Sequence, residues 1–104
     1  MAELHVLRPH SLGLPQARQL ALRWVTRAQT EFGLHCTYVE GQQEDEVGFS
    51  RPGVDGMLVV SHDRFELKAK LGFLLGAFKD RIEREIVSNF DALLAPVAAP
   101  NKKR

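Results

Sequence analysis

A single cysteine, Cys36, stands in this chain of 104 residues. No disulfide can close within it, which fits a reducing, cytoplasmic setting. Long apolar runs are also missing. The longest near the middle, Leu71 to Phe78, falls far short of the ~20 residues a spanning helix needs, so no transmembrane segment is expected. Met1 to Pro9 carries Glu3, His5 and Arg8 and lacks an apolar h-region, so no signal peptide is expected. Charge of one sign is scarce as well: the formal net charge is +1. Lys102, Lys103 and Arg104 take three of the 14 basic residues, leaving 11 against 13 acidic ones. A nucleic-acid-binding body carries a basic surplus, so no nucleic-acid partner is expected.

Known chemical signatures are lacking too. The four histidines, His5, His10, His35 and His62, show no i, i+4 helical spacing, and there is no Cys-x-x-Cys; no metal and no cofactor are expected. No Gly-x-Ser-x-Gly elbow or Cys equivalent exists, and the length is too short for an α/β-hydrolase. Lys70-Leu71-Gly72 precedes a helical stretch, but one glycine followed by bulky Phe73 is not a phosphate loop. Cys36 and His35 are neighbours on a strand, so they point to opposite faces and cannot form a nucleophile–base pair. The acids Glu40, Glu44, Asp45 and Glu46 read as a solvated hairpin tip that discourages edge pairing. No catalytic residue is assigned. An enzyme would have to draw on His5, His35 and Tyr38, which no motif connects.

What is present is ordinary globular composition, 44% hydrophobic and 26% charged, enough for one core. The patterning divides it. Glu3 to Arg8 alternates as a short strand ending at Pro9. Leu14, Ala17, Ala21, Trp24, Val25, Ala28 and Phe32 then form a helical stripe, with Pro15 in the first turn, Ser11 placed to cap and Gly33 to stop it. Gln19, Arg23, Thr26, Arg27 and Thr30 take the outer face. From Leu34 the period becomes two. Leu34, Cys36 and Tyr38 make one strand; Val47 and Phe49 begin the next after a polar loop over 40–46. Pro52-Gly53 closes a hairpin into Val54 to Ser61, apolar on both faces and therefore central. Phe65, Leu67 and Ala69 alternate with Arg64, Glu66 and Lys68. A second helix, from about Phe73 to Leu94, carries the ladder Phe78, Ile82, Ile86, Phe90 and Leu93, with an Asp80–Arg84 pair outside.

The expected fold is α+β: a two-layer sandwich of order β-α-β-β-β-β-α, mainly antiparallel, with both helices on one face. It spans 1–95 as one domain, with 96–104 as a flexible basic tail. One feature of the second helix leaves alternatives open. Either it starts late and Phe73 turns inward or covers the first helix, or Phe73 and Leu74 form an exposed apolar patch of the kind that marks a partner surface or a homodimer. Gly76 would let another backbone approach.

Three stretches carry a family resemblance: Arg8-Pro9-His10-Ser11-Leu12-Gly13 with Ala17-Arg18; Phe49-Ser50-Arg51-Pro52-Gly53-Val54-Asp55-Gly56; and Lys70-Leu71-Gly72-Phe73-Leu74-Leu75 with Phe78-Lys79 and Ile82-Glu83. In order and spacing they resemble the small bacterial polyhydroxyalkanoic acid system family, the granule-region proteins, over about residues 3 to 94. The resemblance implies association with polyhydroxyalkanoate storage granules and brings no catalytic residues with it. The expectation is therefore a non-enzymatic interaction protein that contacts the granule surface or granule proteins. Phe73, Leu74 and Ala77, flanked by Lys70, Lys79 and Arg81, are the candidate contact, with Arg23 and Arg27 as a second patch. The alternative is a small carrier holding a hydroxyacyl or fatty-acyl group in a cavity lined by Trp24, Phe49, Met57 and Phe65.

Overall fold

The structure, a computed structural model, describes residues 2–98. It runs β1 (Ala2–Pro9), α1 (Leu14–Glu31), β2 (His35–Val39), β3 (Glu44–Arg51), β4 (Val54–Ser61), β5 (Arg64–Leu71), α2 (Phe73–Gly76) and α3 (Lys79–Ala98). All strand pairs are antiparallel, in the order β1-β5-β4-β3-β2. The last four strands form a meander, and β1 adds to its free edge beside β5. This is the expected α+β class, with β4 central.

The alternation read from the sequence sets the layers. Val6, Leu67, Leu58, Val47 and Tyr38 lie in one row across the sheet, and Leu4, Ala69, Gly56, Phe49 and Cys36 in another. Both rows lie on the face that the helices cover. The opposite face carries Glu3, His5, Lys68, Lys70, Glu46 and His35, and no element among the described residues covers it. Apolar residues on both faces of β4 mark its central place, but Met57 still meets solvent at 42% exposure.

Helix α1 covers β2 to β4 with Ala17, Leu20, Ala21, Trp24 and Ala28, all buried. Leu20 lies between Ala17 and Trp24 on the same stripe, where i, i+3 and i+4 neighbours meet. Gly13, and not Ser11, is the N-cap, and no side chain caps the helix. Gly33 ends it at φ 65°, so that the Leu34 N–H returns to the Ala28 carbonyl at 3.1 Å. Helix α3 covers β1. Between the layers the rings interlock: Trp24 packs edge-on to Phe49 at 5.5 Å and stacks on Phe90 at 6.4 Å, and Phe90 stacks on Phe65 at 5.5 Å.

Two expectations need correction. The second helix is broken. Its first turn, α2, is fixed at Gly72, whose N–H donates to the Gly53 carbonyl at 2.8 Å in the β3–β4 turn. Gly76 is a poor helix former, and the chain tightens after it, with Phe78 N–H bonding to the Leu75 carbonyl at 2.9 Å before α3 begins. Phe78 falls in this break at 53% exposure, so it leaves the ladder, and Leu94 is buried with Phe90 instead. Helix α3 also runs past Pro96 to Ala98; Lys102, Lys103 and Arg104 of the basic tail lie outside the described residues. On its surface the pair is Arg81–Glu85 at 3.6 Å, with no ion pair between Asp80 and Arg84.

The second correction concerns the acidic loop. Strand β3 begins at Glu44, and Asp45 points inward with no solvent exposure. Arg18 of α1 grips it with Nε and Nη2, at 2.6 and 2.9 Å. The Tyr38 hydroxyl and the Gly41 N–H also donate to it, at 2.5 and 3.0 Å. The buried charge is thus paired and fully hydrogen-bonded, the condition under which burial is tolerated. Arg18 holds the Asp45 carboxyl down to about 2, and burial, reinforced by Asp45, pushes the Tyr38 phenol up.

Candidate functional site

Where α1, α3 and the sheet diverge, beside the β3–β4 turn, an apolar cleft of about 690 Å³ opens. That volume lies inside the roughly 300–1,000 Å³ range of small-molecule sites. Trp24 of α1 and Phe49 of β3 line one wall, Ile82 and Ile86 of α3 the other, with Leu4, Ala69 and Leu71 of the sheet between them. Leu75 reaches over Gly53, approaching within 3.2 Å of where a Cβ would stand there. Phe32 and Leu34, at the end of α1 and before β2, complete one rim.

Helix α2 forms the opposite rim. Its Phe73 and Leu74 are 91% and 79% exposed, yet both border the cleft. The two readings left open by the sequence resolve this way: Phe73 starts a helical turn and faces solvent. The external patch and the internal cavity, set out as alternatives, are parts of one continuous apolar surface.

Other candidate residues fall elsewhere. Ala77 is exposed in the break after α2 but does not line the cleft. Arg23 is exposed on α1, and Arg27 pairs with Glu31 at 3.3 Å; neither borders the cleft. Of the proposed cavity residues, Trp24 and Phe49 do line it. Phe65 does not, because it is sealed beneath His10 and Phe90 at 1% exposure. Met57 cannot, because its place in the alternation sends it to the uncovered sheet face. The flanking cations divide: Lys70 is on that same outer face, Lys79 begins α3, and Arg81 is paired with Glu85.

The polar lining is sparse: Arg51, Glu85 and Asn89. Periodicity does not single out Arg51; its position directly before Pro52-Gly53 is the sequence signal that it ends a strand at a turn. His5, His35 and Tyr38 do not converge. His5 lies on β1 and His35 on β2, at opposite sheet edges, and Tyr38 points to the other face toward Asp45. His5 instead pairs with Glu66 at 2.7 Å, holding that carboxyl below its usual range. Burial raises the Cys36 thiol, the opposite of an activated nucleophile. Among the described residues no three His, Cys, Asp or Glu are grouped to hold a metal ion, and no helix is long and apolar enough to cross a membrane.

The model for polyhydroxyalkanoic acid system proteins matches the chain over residues 4–94. Neither the curated proteins nor the solved structures yield a match.

Proposed function

The chain belongs to the polyhydroxyalkanoic acid system protein family, and from that setting we propose that it is a non-enzymatic interaction protein which docks on the apolar surface of polyhydroxyalkanoate granules through α2. The observation that carries the reading is the exposure of Phe73 and Leu74 at the mouth of the cleft. Large side chains this exposed gain nothing for the fold, whereas an apolar surface would bury them at roughly 25 cal/mol per Å². A contiguous patch of that kind marks a partner site on a soluble domain. Proteins of the granule coat offer the same chemistry and are the nearest alternative target.

A second reading is supported by the volume of the cleft, about 690 Å³, and its apolar walls: the domain is a small carrier for a hydroxyacyl or fatty-acyl group. The docking reading is tested by co-sedimentation with purified granules at low and high salt, beside Phe73→Asp and Leu74→Asp variants checked by circular dichroism. Salt-resistant binding that both variants lose is expected. Binding that high salt abolishes, or that the folded variants retain, rejects docking through α2.

A further inference from the structure

The cleft is not uniformly apolar. Arg51 ends β3 at its rim, and its Nη1 donates to the Phe32 carbonyl at the end of α1, at 2.7 Å. A helix C-terminus favours a cation, so this bond anchors the guanidinium beside the opening. It uses one edge of the group. Among the described residues no carboxylate comes within 4.0 Å of Arg51, and its Nε and Nη2 have no protein acceptor. Glu85, the only acid among the described residues that line the cleft, is turned to Arg81.

We propose that the cleft binds a free medium-chain aliphatic carboxylic acid, its chain between Trp24 and Ile86 and its carboxylate on the Nε–Nη2 edge of Arg51. The planar edge of a guanidinium matches the two oxygens of a carboxylate, and the charge-assisted pair is stronger than a neutral one. The apolar walls reward the chain, and the anchored cation selects the anionic head group. The proposal rests on reading the cleft as the functional site, and it names the ligand class that site takes.

Equilibrium dialysis of decanoate, kept below micelle-forming concentrations, tests it. Decanol supplies the chain without the charge and acetate the charge without the chain. One decanoate per chain is expected to bind, with decanol and the Arg51→Gln variant each weaker by about tenfold or more. Arg51→Lys, which keeps the charge but loses the planar edge, falls between. Acetate does not bind measurably. Equal affinity for decanol and decanoate, undiminished binding by folded Arg51→Gln, or no saturable decanoate binding overturns the proposal. Should Arg51→Gln fail to fold, the decanol comparison and Arg51→Lys decide. Sedimentation with granules, run in parallel, keeps the two readings apart. Granule binding without decanoate binding removes only the ligand proposal, and decanoate binding without granule binding removes only the docking reading. A dimer that forms through Phe73 and excludes decanoate overturns the ligand proposal.

Discussion

Arg18 and Asp45 are 27 residues apart in the chain, yet the guanidinium of one holds both carboxylate oxygens of the other, at 2.6 and 2.9 Å. The pair ties α1 to the β2–β3 hairpin, and the Arg18–Gly41 bond at 3.1 Å extends it to the loop between those strands. It is a structural clamp at the far end of β3 from the cleft, which opens at Arg51.

Removing the carboxylate strands three donors: the Arg18 guanidinium, the Tyr38 hydroxyl and the Gly41 N–H. Asp45→Ala is therefore expected to cost about 3 kcal/mol, the low end for a broken buried pair because Arg18 keeps some solvent. Urea unfolding measures it. In the Asp45→Ala background, Arg18→Met should add little, because its partner is already gone. Full additivity would mean that the two residues are not energetically coupled.

Gly56 faces Phe49 across the β3–β4 ladder. A Cβ built there would stand 2.5 Å from the Phe49 ring and 2.6 Å from the Lys68 carbonyl oxygen. The ring could swing aside into the cleft, but the backbone oxygen cannot without disturbing β5. Gly56→Ala is expected to destabilise by roughly 1–3 kcal/mol through overpacking. It should also change the fluorescence of Trp24, the single tryptophan, which packs on Phe49. A neutral effect on both would show that the strands have room to separate there.

Acid should weaken the fold in two stages. His10 packs against Phe65 at 4.7 Å and accepts from the Leu12 N–H at 3.1 Å. Its buried Nε2 has no partner among the described residues, and burial lowers its pKa from 6.5. The neutral form is thus favoured in the folded state, so stability falls as pH drops below 6.5 toward the lowered folded value. Asp45 acts further down. Its carboxyl is held at about 2 against 3.8 when free, so its contribution is present above 3.8 and is lost as pH falls through about 2. Urea midpoints across pH should show both stages, and His10→Gln should remove the first only. A His10→Gln profile that matches the original would assign the upper stage to another group.

The fold was legible wherever a residue's side was decided by periodicity. The alternation of Phe65, Leu67 and Ala69, the Pro52-Gly53 turn and the stripe through Trp24 all place their elements correctly. Periodicity could not place Asp45, because an acid in a run of acids reads as solvated until its cation is found 27 residues away. Nor could it find the break after Gly76, which depends on a hydrogen bond from Gly72 to a turn formed by another part of the sheet. The site was half legible for the same reason. Trp24 and Phe49 follow from their faces, and Phe73 from its angle on the helix. Arg51 becomes visible only when the end of α1 arrives beside it.

If α2 serves binding and not folding, its large side chains should be dispensable to stability. Phe73 and Leu74 are 91% and 79% exposed, whereas Phe90, in the same half of the chain, is 1% exposed. Phe73→Ser and Leu74→Ser are therefore expected to shift unfolding free energy by no more than about 0.5 kcal/mol. Phe90→Ala, which removes a ring stacked on both Phe65 and Trp24, should cost about 3–5 kcal/mol. Urea unfolding of the three variants gives the comparison directly. A loss above about 1.5 kcal/mol at Phe73 would mean that the ring stabilises the fold in solution, and the patch would then be part of the core's cover and no docking surface.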